Sequence, residues 1–163
     1  LRQNKALGKT EINLRAPYLP FAIFISFAVP NFINTTKLQK AGYNIVEDSE
    51  TVLTIADTNV VDGDSILVAS FYLSDMSPKE LSDAIKAEAQ QQDAKFVASF
   101  DNNRAYVNEF KHVDFYSFTI VPKKQKINKY HIYVTYMSPK KLSKEDINKV
   151  IDATLNEAEG LIK

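Results

Sequence analysis

Histidine is the side chain that most readily moves protons near neutral pH, and the chain of 163 residues has two, His112 and His131. Asp114 follows His112 closely enough for its carboxylate to orient the imidazole ring. Hydrolysis would also need a nucleophile, and with four glycines the chain has no G-x-S-x-G turn and no glycine-rich phosphate loop. We therefore expect both histidines to be structural or surface residues. A hydrolase that uses His112 or His131 with Asp114 is the alternative.

An acidic segment at 57–64 is the one candidate for a metal site. Its oxygen-bearing side chains are Asp57, Asn59, Asp62 and Asp64. An EF-hand loop places glycine sixth and glutamate twelfth, but counting from Asp57 puts Gly63 seventh and Val68 twelfth. Asp62-Gly63 instead suits the tight turn of a hairpin. Since cysteine is absent, thiolate zinc sites, disulfides and iron–sulfur clusters are excluded, and we predict neither a metal nor a cofactor.

Lysine is concentrated before and within the last strand predicted below. The candidate partner-binding residues are Lys123, Lys124, Lys126, Lys129 and Tyr130. A basic patch of this kind could meet an acidic protein or a lipid surface, although a solvated hairpin gives the same pattern. The formal net charge of zero argues against nucleic acid.

Apolar and polar residues alternate along most of the chain, which is the signature of β-strands. The predicted strands are 12–16, 21–29, 43–46, 51–56, 65–73, 95–100, 105–110, 112–121 and 129–137. In segment 21–29 both faces are apolar, which favours a central strand. Its nine residues fall far short of the roughly 20 needed to span a bilayer.

Two helices are predicted from capping residues and helical spacing. Ser77, Pro78 and Glu80 give the first helix, at 78–90, an N-cap, an N1 proline and a capping-box glutamate. Ser143 and Asp146 begin the second helix, at 144–162, in the same way. The expected inward positions are Leu81, Ala84, Ile85 and Ala89 in the first helix, and Ile147, Val150, Ile151, Leu155 and Ala158 in the second.

These elements predict an α+β domain in which two main helices pack on an antiparallel β-sheet of about six to eight strands. Residues 1–10 are polar and patternless, so we expect a flexible tail followed by a single domain over 11–163. The sequence begins with Leu1. We therefore expect that something upstream was removed, and a signal peptide is one candidate.

The order of elements resembles that of the PsbP-like superfamily. It is carried by EINLRAPY, TVLTIADT and SILVASFYL before the helix SPKELSDAIKAEA, and by KFVASFDNNRAYVNEF, VDFYSFTIV and KYHIYVTYM before the helix DINKVIDATLNEA. The resemblance implies a PsbP-like sandwich without catalysis, exported and sometimes tethered to a membrane by an upstream lipidated cysteine.

The sequence thus favours a binding or scaffolding domain with a protein partner, and not an enzyme. Export to the cell envelope or the exterior is the expected location, with the cytoplasm as the alternative. A carrier of an apolar small molecule, with its pocket between sheet and helices, is the second hypothesis.

Overall fold

The structure is a computed structural model that describes residues 29–57, 65–92 and 94–163. The predicted tail and strands before residue 29, and the turn and acidic residues at 58–64, lie outside the described residues. The helices are α1 (Thr35–Lys40), α2 (Pro78–Gln91) and α3 (Lys144–Gly160). The strands are β1 (Tyr43–Asp48), β2 (Val52–Asp57), β3 (Ile66–Leu73), β4 (Lys95–Asp101), β5 (Ala105–Lys111), β6 (Tyr116–Pro122) and β7 (Tyr130–Ser138).

The described strands form one antiparallel sheet in the order β1-β2-β3-β7-β6-β5-β4. β3 and β7 meet at its centre along a ladder that runs from the pair Ile66 and Met137 to the pair Leu73 and Tyr130. The predicted α+β class, with an antiparallel sheet and two main helices, is confirmed.

One face of the sheet is apolar and carries the core. Its buried strand residues are Leu53, Ile55, Ala69, Phe71, Val107, Phe118, Ile120, Ile132 and Val134. Helix α3 covers this face with Ile147, Ile151, Leu155 and Ala158, and α1 adds Leu38. Four of the five inward positions predicted for α3 are therefore buried, and the fifth, Val150, is half-buried.

The opposite face of the sheet is polar although much of it is buried. Because side chains alternate along a strand, the neighbours of the core residues project here. The buried polar members are Thr54, Ser70, Asn108, Ser117, Thr119 and His131, and the apolar Phe110 and Val121 are buried on the same face. Helix α2 packs on this face, against β5 and β6. The two faces therefore differ in chemistry, and the polar one is the candidate for function.

Three local predictions need correction. Helix α1 falls in the connection between the predicted strands 21–29 and 43–46, where no helix was predicted; Asn34 caps it by accepting a hydrogen bond from the backbone N–H of Lys37 at 3.0 Å. Strand β6 begins at Tyr116 rather than at residue 112, because the backbone N–H of His112 bonds Phe115 O at 2.9 Å in a turn. Ala84, predicted to point inward, is exposed.

In the part of the chain that is described, no helix is both long and apolar enough to cross a membrane.

Candidate functional site

Helix α2 is anchored to the sheet mainly by its first half. Its capping box at Ser77 and Glu80 is present as predicted, and Leu81 and Ser82 are its buried residues. Asn108 Nδ2 on β5 donates to Ser82 O at 3.0 Å and to Ser82 Oγ at 3.1 Å. The second half of the helix is held less closely, and open space lies between it and the sheet.

This space forms a groove with two lobes along one face of α2, which share part of their lining. Ile85, Glu88 and Tyr133 line both lobes. The His112 lobe has a volume of about 270 Å³, and the Tyr72 lobe has a volume of about 340 Å³. The other residues of the His112 lobe are Ala89, Gln92, Ala94, Phe110, His112, Phe115, Ser117, Thr119, Thr135 and Met137. The other residues of the Tyr72 lobe are Glu47, Val52, Tyr72, Met76, Leu81 and Ala84.

The imidazole ring of His112 is fixed at one end of the groove. Its Nε2 lies 2.9 Å from Ser117 Oγ, and its ring stacks on Phe115 at 4.2 Å between centroids with an interplanar angle of 10°. Partial burial lowers the pKa of His112, so the ring is mainly neutral at pH 7. Among the described residues Asp114 makes no hydrogen bond or ion pair, and the expected His112–Asp114 pair is replaced by a contact between His112 and Ser117.

A chain of polar contacts lies beneath the Tyr72 lobe. Thr54 Oγ1 donates to Glu47 Oε2 at 3.3 Å and lies 3.0 Å from Ser70 Oγ. Ser70 in turn shares a hydrogen bond with Tyr133. Burial raises the pKa of Tyr133, and the nearby charges of Glu88 and Glu47 raise it further. This lobe therefore has a negative potential.

Glu47 reaches the groove because of an irregularity in the edge strand β1. Ile45 pairs with Ile55, but Glu47 pairs with Thr54, since a β-bulge lies between Ile45 and Glu47. Regular pairing would place Glu47 opposite Leu53, whose side chain belongs to the apolar core. The bulge moves the carboxylate to the polar face, and β-bulges are frequent where a side chain must be re-aimed at a site.

Two buried polar groups lie outside the groove lining. His131 is 3% exposed and its Nε2 has no hydrogen-bond partner, and Glu109 Oε1 is likewise buried without one. His131 is thus buried, and its structural role stays a prediction. Among the described residues there is no cluster of three or more histidine, aspartate or glutamate side chains that could hold a metal ion.

Two lysines of the predicted patch lie beside carboxylates. Lys123 Nζ is 2.6 Å from Asp101 Oδ2, and Lys126 Nζ is 3.5 Å from Glu159 Oε2. Lys124 and Lys129 are exposed. Tyr130 packs its ring on Phe32, with centroids 4.8 Å apart, and touches the core. The patch exists as a surface, and its role in binding a partner stays a prediction.

Sequence reasoning missed the groove residues Glu47 and Glu88. The sequence did carry a signal for a polar face, because Thr54, Ser70 and Thr119 occupy strand positions where an ordinary two-layer core would have apolar residues. The bulge that places Glu47 in the groove has no comparable signal in the sequence.

Comparisons with known proteins give little further guidance. No family model and no curated protein matches the chain. Among solved structures, human STARD10 is 12% identical over 77% of this chain and 74% of that one, with a TM-score of 0.31. The human StAR-related lipid transfer protein 5 is 10% identical over 78% of this chain and 89% of that one, with a TM-score of 0.30. Likeness at this level carries no argument about function, and the PsbP-like resemblance stays a prediction.

Proposed function

We propose that the domain binds a small molecule in the groove beneath α2 and releases it unchanged. The observation that carries this proposal is the combination of two open lobes with a lining of apolar side chains and hydroxyl groups. Known ligand pockets combine an apolar lining with a few placed polar groups and span roughly 300–1,000 Å³. The lobes measure about 270 and 340 Å³, so together they fall within that range.

The polar face itself supports this proposal. Burying hydroxyl and amide groups under a helix costs free energy unless they find partners, and an apolar face would have stabilised α2 more simply. Hydrogen bonds link Thr54 to Ser70 and Ser70 to Tyr133. Thr135 and Gln92 line the groove. A ligand with both apolar and polar surface would fit such a lining.

Catalysis is the weaker alternative. His112 touches Ser117, as a base would touch a nucleophile. However, no carboxylate orients the ring among the described residues.

A scaffolding role would be favoured by a continuous patch of large exposed apolar side chains. In the described residues these side chains are instead scattered over both sheet edges and two loops. They are Ile45, Val46, Met76, Val97 and Val113. We also propose that the domain is exported, because members of the PsbP-like superfamily, which the chain resembles, often are.

A fragment screen by ligand-observed NMR tests the proposal. Two variants fill the groove: Ala84→Trp in the Tyr72 lobe and Ala89→Trp in the His112 lobe. Ala153→Trp, at an exposed position of α3 on the other side of the sheet, is the matched control. We expect several fragments to bind the unaltered chain and the control, and to lose at least about tenfold in affinity with a groove variant, because a tryptophan would occupy their volume.

The thermal unfolding midpoint of each variant shows whether the fold is intact. Fragments that bind all three variants equally, or no binding fragment at all, would reject the groove as the site.

A further inference from the structure

We propose that the ligand carries an organic ammonium group and that the Tyr72 lobe holds it. This rests on the proposed function, and it adds the chemical class of the ligand. Two observations support it, the sign of the charges in the lobe and the kind of uncharged side chains beside them, and a bulge in β1 explains how one of the charges comes to lie there.

The charged residues that line the Tyr72 lobe are Glu47 and Glu88, both acidic. Glu88 lies on α2 and Glu47 on β1, so the two carboxylates come from different elements, and both residues are exposed. The charges of Glu88 and Glu47 both raise the pKa of Tyr133. No lysine or arginine lines the lobe, so an anionic ligand would meet only repulsion there, whereas a cation would be attracted to both carboxylates.

The other groups of the lobe suit a cation with alkyl substituents better than a metal ion. Tyr72 and Tyr133 present aromatic rings, and Met76 presents a polarisable thioether. Aromatic rings attract cations that approach their faces, and cages of such rings recognise quaternary ammonium groups. A metal ion would need several oxygen ligands around one point, but the described residues provide no such cluster.

The bulge in β1 explains how Glu47 comes to lie in the lobe. An edge strand in regular register would turn Glu47 toward Leu53 and leave Glu88 alone in the lobe. The extra residue, Val46, is 55% exposed, so it adds little to the core. What the bulge does achieve is to place a second carboxylate in the lobe.

Calorimetric titration with three probes of equal chain length tests the inference: hexyltrimethylammonium, hexan-1-ol and hexanesulfonate. We expect the cation to bind about tenfold more tightly than the alcohol, and the sulfonate not to bind detectably. Raising the salt concentration should weaken binding of the cation and leave that of the alcohol unchanged.

Isosteric variants locate the effect. Glu47→Gln and Glu88→Gln should each lower the affinity for the cation about fivefold or more without changing that for the alcohol. Asp83→Asn removes the same charge from an exposed position of α2 outside both lobes and should change neither. If the alcohol binds in the groove as well as the cation does, the ammonium inference is overturned while the proposed function stands. If none of the three probes binds while fragments of the screen do, the ammonium inference is overturned and the proposed function stands; if neither probes nor fragments bind, both are overturned.

Discussion

His112 is a groove residue whose surroundings shift its pKa. The sequence pointed to this residue, but it suggested Asp114 as the partner, and an adjacent carboxylate would raise the pKa of an imidazole. The structure instead places Ser117 Oγ at 2.9 Å from the ring and lowers the pKa of His112 through burial. The two arrangements therefore differ in the sign of the pKa shift.

An NMR titration of the His112 ring protons should give a pKa below 6.5, the ordinary value for histidine. Because the folded state binds the proton less readily than the unfolded state, His112 contributes stability that is present above pH 6.5 and is lost as the pH falls below it. Asp114→Asn should leave the pKa unchanged. A value above 6.5 that drops in this variant would restore the His–Asp pair.

Tyr43 is a second residue with a specific role, at the rim of the apolar core. Its hydroxyl donates to Glu157 of α3, and burial, together with the charge of Glu157, raises its pKa. Tyr43→Phe should lower the free energy of unfolding by about 1 kcal/mol at pH 8, because one hydrogen bond is lost.

The difference in the free energy of unfolding between the unaltered chain and Tyr43→Phe should narrow as the pH rises above about 10. There Tyr43 ionises in the unfolded state but resists ionisation in the folded state, so the unaltered chain loses stability and the variant does not. Urea unfolding at pH 8 and above pH 10 measures both. A difference that widens at high pH would contradict the raised pKa.

At the scale of elements, α2 and α3 begin alike but are stabilised differently. Both have a serine N-cap whose side chain accepts from the backbone three residues on. Five residues of α3 are buried, against two of α2. A helix that lies over a groove and has few buried side chains is expected to unfold locally more readily than a helix packed on the core.

Hydrogen exchange should therefore be at least about tenfold faster for the backbone amides of residues 85–91 than for those of residues 147–158. Mass spectrometry of exchanged and digested protein gives both rates in one experiment. Adding a ligand of the groove should slow exchange in 85–91 and leave 147–158 unaffected. Equal protection of the two helices would mean that α2 is packed as firmly as α3, which would contradict an accessible groove.

The β1 bulge can be tested as an element of its own. Deleting Val46 should destabilise the fold by about 1–3 kcal/mol, since it would turn the Glu47 carboxylate toward the apolar core or force the strand to re-pair. Val46→Ala keeps the bulge and removes only exposed surface, so its effect should stay within about 0.5 kcal/mol. Urea unfolding compares the two variants, and equal stability would show that the bulge does not set the position of Glu47.

For the whole molecule, alternation in the sequence predicted the sheet, and capping residues with helical spacing predicted the two main helices. It succeeded because Leu53, Phe71 and Val134 lie on one face at strand period, and because Ser77 and Ser143 mark the helix starts. The short helix α1 was missed since its signal is a single Asn34 cap. The groove could not be predicted, because it depends on how far α2 stands from the sheet.

The same limit applies to the candidate site. Glu47, Glu88 and Tyr133 lie far apart in sequence and meet through the pairing order of the sheet, which brings β7 beside β3. Local patterns report which face of an element is apolar, but not which distant strands become neighbours. The lysine patch could be predicted for the opposite reason, because its lysines lie close together in the sequence. In the fold, Lys123 and Lys126 lie beside carboxylates.

The central claim, that a small molecule binds beneath α2, is tested most directly by intermolecular nuclear Overhauser effects between hexan-1-ol and the methyl-labelled chain. The neutral probe is chosen because it does not depend on the charge of the ligand. The claim predicts contacts from the probe to the methyl groups of Ile85 and Met137, which line the groove. Contacts that fall instead on the exposed Ile45 and Val46 of the sheet edge, or none at any concentration below saturation, would contradict it.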